Sequence, residues 1–331
     1  ISSDRYRFRL SRDDKRKSLH RASIPLKSGF PWQSMHVMNR FVAYGALLDS
    51  DLNLSPYLLS AEGFEPRLQL RVERFRGNGE SLPLEQPFSS HGRRLILGSQ
   101  LDLSCAGPEQ RFCFEIERVV RFRWESGDMA LTYEPLAEYT ESLAAFWLIH
   151  IALPLYFTLE LHYVTIHACA VDVGGSTILF IAPSKGGKST LADCFLKNGH
   201  GLVSDDKVAT YFENETLFVV PSHPNHRPFR KFETLGNRVE PFDARARKAD
   251  AIFALRSVAP DLDVAIRAVD GHRKFVRLLP NQIFNFSFFK ADRMEYLAGV
   301  ARALPLYEVD VPRDLGRLEE VQHAIVDRVQ V

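Results

Sequence analysis

Paired cysteines are what this chain most conspicuously lacks. Cys105, Cys113, Cys169 and Cys194 are its four cysteines, with neither the short paired spacing of a zinc site nor the density of a disulfide scaffold. They are expected to be reduced thiols of a cytoplasmic protein. No two of the eleven histidines form an i, i+4 pair around a glutamate, so no helical zinc site is expected. Charge of one sign is also scarce: the formal net charge is +1, which singles out no acidic or basic partner. The longest apolar run, residues 143–159, is broken by His150 and Pro154 and closed by Glu160. A membrane helix wants about 20 mostly apolar residues, so this run is read as a buried helix, bent or ended near Pro154, and no membrane contact is expected. Residues 4–21 carry Arg5, Arg7, Arg9, Arg12, Lys15, Arg16 and Lys17, which is a solvated arm rather than a signal peptide. Aromatic interleaving in that arm stops at Tyr6 and Phe8, so nucleic acid is not an expected partner.

What is present suffices for about two domains: 331 residues, 45% hydrophobic and 25% charged, without internal repeats or low-complexity linkers. After a basic extension at 1–40, residues 41–134 hold short β-like runs, among them LQLRVERF, RRLILG and FCFEIERVVRFRW, set apart by Gly, Pro and Ser clusters. A smaller β-rich N-terminal domain is expected there. From 135 to 331 the pattern is α/β: a helical segment to about Leu161, strands, a hairpin in KVATYFENETLFVV turning near Asn214, and a final helix. That helix carries an apolar stripe of Leu315, Leu318, Val321, Ile325 and Val329.

The richest stretch is TILFIAPSKGGKSTLADCF, residues 177–195. It reads as a strand, a glycine-containing turn and a helix start. Gly186 and Gly187 let the backbone curl so that N–H groups of Ser184, Lys185, Gly186 and Gly187 point at an anion seated on the helix N-terminus. Lys188 adds a point charge for β and γ phosphates, Ser189 is placed to ligate Mg²⁺, and Thr190 adds a phosphate contact. The phosphate-loop pattern is G-x-x-x-x-G-K-[ST]; here Ala182 stands at the first glycine. Leu191, Ala192, Phe195 and Leu196 follow at helical spacing, and Gly199 is placed to stop the helix.

GLVSDDKV, residues 201–208, then delivers Asp205 and Asp206 at a strand end, expected to lie beside the loop in a parallel sheet. Neighbours on a strand point to opposite faces, so one carboxylate suits the metal and the other the acceptor. Upstream, VTIHACAVDVGG places His167 on a strand leading into the loop strand. Together IHACAVDV, the APSKGGKST loop and KNGHGLVSDDKV, in this order and spacing, resemble the catalytic domain of HPr kinase/phosphorylase, a P-loop-containing fold like that of PEP carboxykinase. VVPSHPNHRPFRKF and ALPLYEVDVPRDLGRLEEVQHAI are similar to segments of the HPr-kinase-related proteins of peptide-biosynthesis clusters, some of which modify the terminal serine of a lasso-peptide precursor. The glycine-rich E-[IV]-R-G-x-G signature and the late phosphorylase-associated loop of true HPr kinases have no counterpart here.

The resemblance implies transfer of a phosphoryl group from ATP to a serine hydroxyl, with Mg²⁺, an aspartate base and a modulating histidine, in a homo-oligomer. On that reading Lys188 holds phosphate, Ser189 and Asp205 hold Mg²⁺, Asp206 receives the serine proton and His167 orients the aspartates. A peptide's terminal carboxylate or growing phosphate would need a cation, for which Arg227 or Arg230 is the candidate. A kinase of a small hydroxyl metabolite and a nucleotide-binding regulatory module without transfer remain the alternatives.

Overall fold

The computed structural model describes residues 38–66, 68–77, 84–99, 110–228 and 232–330. The basic extension through residue 37, Cys105, and Phe229, Arg230 and Lys231 lie outside the described residues.

The β-like runs of the N-terminal half form a single nine-stranded sheet. Its order is Leu59–Ser60, Asn39–Ala43, Ala46–Ser50, Leu68–Arg74, Ala130–Pro135, Val120–Glu125, Arg111–Ile116, Arg93–Ser99 and Leu84–Ser90. Pairing is parallel where Leu68–Arg74 meets Ala46–Ser50 and Ala130–Pro135, and antiparallel elsewhere. Alternation along Val120–Glu125 sends Val120, Phe122 and Trp124 into the core while Arg121 and Arg123 reach Glu134 on the other face.

Against that inner face packs the apolar run, which is one continuous helical stretch, Glu141–Leu161, of 21 residues. By length and composition it could cross a membrane, but 78% of its most apolar window is buried inside the protein. Phe146, Trp147, Ile149, Leu153, Tyr156 and Phe157 share one core with Leu70, Phe114, Phe122 and Leu131 of the sheet. Thr140 caps the start, its Oγ1 accepting from the N–H of Leu143 at 3.2 Å. Pro154 does not end the helix, one of the two outcomes expected of it. It has no N–H to give to the carbonyl of His150, so the ladder widens to a π turn over Leu148–Ala152 before α-helix resumes at Leu153–Leu161. Tyr44 donates to the carbonyl of Ile149 in that widened turn at 3.0 Å.

The second sheet also has nine strands and is mixed rather than parallel, contrary to the expectation for the aspartate strand. Gly201–Ser204 runs antiparallel to Ala168–Val173, which runs antiparallel to the loop strand Ser176–Ile181. Only the pairs made by the long strand Arg247–Val258 with Ser176–Ile181 and Leu306–Pro312 are parallel in this sheet. The hairpin turns at Asn214 and Glu215, both at positive φ, between Val208–Glu213 and Thr216–Val220. Period-two alternation splits the sheet into two buried faces. Cys169, Val171, Ile178 and Phe180 face helices Lys188–Lys197 and Leu318–Gln330; Ala168, Ala170, Leu179 and Ile181 face His272–Leu278 and Lys290–Ala303. In the final helix Val321 and Ile325 are buried as expected, but Leu315 lies in the 3-10 turn before it and is 75% exposed.

Candidate functional site

Local conformation of the 182–188 loop is dictated by its glycines. Lys185 and Gly187 take positive φ, 64° and 87°, and the N–H of Gly186 closes a turn on the carbonyl of Pro183 at 2.9 Å. A Cβ at 186 would lie 2.7 Å from the Ala182 Cβ and 2.9 Å from the Pro183 carbonyl, so only glycine fits beneath the alanine that replaces the first glycine of the pattern. Helix Lys188–Lys197 then begins with Gly187 at its N-cap, and no side chain caps it. First-turn N–H groups without a side-chain cap, at the positive end of a helix, form a place for an anion. Lys188 is folded back over the loop, its Nζ donating to the carbonyls of Ala182 at 2.8 Å and Pro183 at 3.4 Å. Ser184 and Lys185 are exposed, and Ser189 and Thr190 are partly exposed.

The two aspartates stand in different surroundings. Asp205 is buried; its Oδ1 accepts from the Ser189 hydroxyl at 3.4 Å, and its Oδ2 lies 3.0 Å from both His226 Nδ1 and the N–H of Arg227. Burial raises its pKa, but the His226 and Arg227 hydrogen bonds outweigh it and hold the carboxyl below the usual range. Asp206 takes the left-handed conformation, φ 64°, which turns its side chain to a different set of partners. Its Oδ1 is 3.3 Å from His167 Nε2, while Oδ2 is 3.0 Å from Lys207 Nζ and 3.6 Å from the Arg227 guanidinium. Burial works against ionisation there too, and Lys207 and His167 overcome it, so the carboxyl titrates well below its ordinary range.

Of the residues expected from the sequence, the fold brings Lys188, Ser189, Asp205, Asp206 and His167 to one place. Arg227 is neither an exposed loop cation nor remote: it is 8% exposed, with its guanidinium donating to the Thr234 carbonyl at 3.0 Å and facing Asp206. Arg230 lies outside the described residues. Besides His226, which holds Asp205, and Cys169 on the adjacent strand, Lys207, His150 and His91 also reach the site. Lys207 is buried, and its ammonium also donates to His150 Nε2 at 2.8 Å. His150, in the π turn, is kept neutral far below the usual imidazole range by burial and then by Lys207, and His91 Nε2 approaches it at 3.1 Å. Lys207 could have been flagged as the cation directly after the paired aspartates; His150 and His91 carry no local signal.

Gly236 explains how the 226–227 segment is held. It takes φ +94°, and a Cβ there would lie 2.2 Å from the His226 carbonyl oxygen and 2.8 Å from the Arg227 Cα. The bare backbone therefore packs directly on the residues that hold Asp205, beside the short pairing of Asn225–His226 with Asn237–Arg238.

For a hard divalent cation such as Mg²⁺, the Ser189 hydroxyl and Asp205 carboxylate supply oxygens converging from the loop helix and the neighbouring strand. They fit that ion. Cys169, fully buried on the strand next to Asp205, adds a sulfur nearby; burial and then Asp205 push its thiol well up, so it is protonated.

No protein-family model matches the chain, and no curated protein matches it. Among solved structures it is similar to the Hpr(Ser) kinase/phosphatase from Coxiella burnetii, at 14% identity and a TM-score of 0.31, over 50% of this chain and 97% of that one.

Proposed function

We propose that this protein is an ATP-dependent phosphotransferase that moves the γ-phosphoryl group to a serine hydroxyl of a peptide acceptor. The observation that carries the reading is the contact of Ser189 with Asp205 at 3.4 Å, with Asp206 next in the chain facing His167, Lys207 and Arg227. An anion cradle, a pair of oxygen ligands and an acceptor-side carboxylate are thereby contiguous.

Phosphoryl transfer is chiefly positioning and charge neutralisation, which suits this inventory. The first-turn N–H groups of Lys188–Lys197 and the Lys188 ammonium, swung away from its two carbonyls, bind the β and γ phosphates. Ser189 and Asp205 would hold Mg²⁺, which would supply neutralisation of charge on those phosphates. The acceptor oxygen forms its bond to the γ-phosphorus as the bond to the bridging oxygen breaks and ADP leaves. The displaced hydroxyl proton goes to Asp206. With its pKa held down by Lys207 and His167, Asp206 is a weak base in the ground state; its first task is to accept the serine O–H and aim the oxygen, and it takes the proton as the new bond forms. His167, Lys207 and Arg227 fix the carboxylate, and Arg227 and Lys207 offset charge on the transferred group.

The peptide acceptor, including a lasso-peptide precursor ending in serine, is inferred from the motif resemblance. Intact-mass measurement of such a peptide and of free serine, each incubated with ATP and Mg²⁺, tests it. The expected result is one added phosphate on the peptide, lost in Asp206→Asn while nucleotide binding persists. Phosphate on free serine alone would replace the peptide by a small metabolite. Nucleotide binding without transfer to any hydroxyl acceptor would leave a regulatory module.

A further inference from the structure

Cys169, Asp205 and His226 come from three separate segments, yet one ligand atom from each lies within 4.8 Å of the others. Cys169 is on Ala168–Val173, Asp205 follows the adjacent strand Gly201–Ser204, and His226 belongs to the short strand Asn225–His226. They are 0%, 4% and 3% exposed. Phosphoryl transfer uses only one of the three, and Mg²⁺ has no use for a thiol or an imidazole, since it prefers oxygen.

Within the cluster Cys169 hydrogen-bonds Asp205, and His226 Nδ1, the ring nitrogen that faces the other two, lies 3.0 Å from Asp205 Oδ2. Nδ1 is therefore the ligand atom of the set, and the buried Nε2, without a partner among the described residues, is not part of it. Ligand atoms around tetrahedral zinc stand about 3.3–3.8 Å apart, given Zn–N and Zn–O bonds near 2.0–2.1 Å and Zn–S near 2.3 Å. His226 Nδ1 and Asp205 Oδ2 are 3.0 Å apart, just inside such an edge, and all three ligand atoms lie within 4.8 Å of one another, so binding requires the longer separations to contract by up to about 1 Å. Sulfur, nitrogen and carboxylate oxygen together favour Zn²⁺ or Co²⁺ over Mg²⁺. Partly exposed Ser189, in contact with Asp205 Oδ1, gives the cluster a side from which an ion and a completing water can enter.

We propose that Cys169, Asp205 and His226 form a site for a thiophilic divalent cation, Zn²⁺ or its reporter Co²⁺, that shares Asp205 with the Ser189 oxygen site. Binding exchanges the thiol proton of Cys169 for the metal–sulfur bond and releases that proton to solvent. Because the two ions would stand side by side on one carboxylate, Oδ1 towards Ser189 and Oδ2 towards His226, their mutual repulsion makes occupation by Zn²⁺ oppose Mg²⁺ at Ser189. This last consequence rests on the phosphotransferase reading; the binding itself does not.

Titration of the metal-stripped full chain with Co²⁺ tests the site. The expected result is a saturable single-equivalent signal combining thiolate-to-cobalt absorption with tetrahedral d–d bands, displaced by Zn²⁺. Cys169→Ala should abolish the thiolate band, and His226→Gln, which keeps every cysteine, should weaken binding at least roughly tenfold. Circular dichroism checks that each variant is folded. Absence of the band in the wild type, or its persistence in folded Cys169→Ala, overturns the proposal. If transfer activity is established, an equivalent of Zn²⁺ should slow it in the wild type and not in Cys169→Ala, each compared with its own zinc-free rate. If transfer is never found, the cobalt titration still decides the site.

Discussion

At the scale of single residues, the site depends on two glycines for opposite reasons. Gly186 makes room within its own loop, against Ala182 and Pro183; Gly236 makes room for another segment, against the backbone of His226 and Arg227. Gly236→Ala combines a Cβ 2.2 Å from a carbonyl oxygen with φ +94°, so the two segments must separate. The expected cost is at least about 2 kcal/mol, in the range of strained backbone substitutions, read as a lower urea midpoint with an unchanged m-value. On the proposed phosphotransferase reading, loss of transfer should accompany it, since Asp205 takes two of its hydrogen bonds from that segment. His223 gives a pH signature. Burial lowers its pKa to about 4, Asp205 and Asp206 pull it up, and Arg227 and Lys207 push it down. The unfolded chain therefore binds the proton more readily. Stability from the neutral ring is complete above the unfolded value of about 6.5 and is lost as pH falls from there towards about 4. Denaturation midpoints measured across that window should decline in the wild type and less steeply in His223→Asn, where the buried His150 still contributes its own loss.

At the scale of elements, the helical stretch Glu141–Leu161 shows how a local rule is kept and then bent. Thr140 caps the first turn, and Thr140→Ala should cost about 1 kcal/mol, seen as a fall in Tm of about 1–2 °C. Pro154 was legible as a disturbance but not as a π turn, because the outcome depends on what the freed carbonyls meet. Here Tyr44, from the opposite sheet, takes the Ile149 carbonyl, and the widened turn includes His150, which reaches Lys207. The final helix is a related case. Spacing predicts Leu315 on its buried stripe, but the helix starts at Leu318, and the preceding 3-10 turn leaves Leu315 at the surface.

At the scale of the whole molecule, the N-terminal sheet is structurally joined to the segment that carries the site. Its core includes the Glu141–Leu161 helix together with Tyr211, Val220, Phe284 and Phe286 of the second half. A fragment spanning 135–331 would expose the sheet-facing side of Phe146, Trp147, Ile149 and Leu153. It should bind a hydrophobic dye and show no cooperative unfolding, whereas the full chain unfolds cooperatively. A fragment with a sharp transition would mean that the second sheet alone satisfies the helix. Trp147 and Arg93 also hold Glu233, at 3.0 and 2.5 Å, so both halves contribute to its position.

By itself the sequence determined the strand, glycine turn and helix start at 176–197, the hairpin near Asn214 and the placing of Asp205 and Asp206 at a strand end. These depend on glycine conformations, β-alternation and helical spacing, whose range is a few residues. Tertiary structure decided the rest: the mixed strand directions, the separate environments of the two aspartates, the burial of Arg227, and the arrival of Lys207, His150 and Cys169 beside them. Those outcomes follow from which strands pair and which helix fills the space between sheets. Burial then sets how strongly neighbouring charges act, because a charge removed from water is governed by the few groups that touch it.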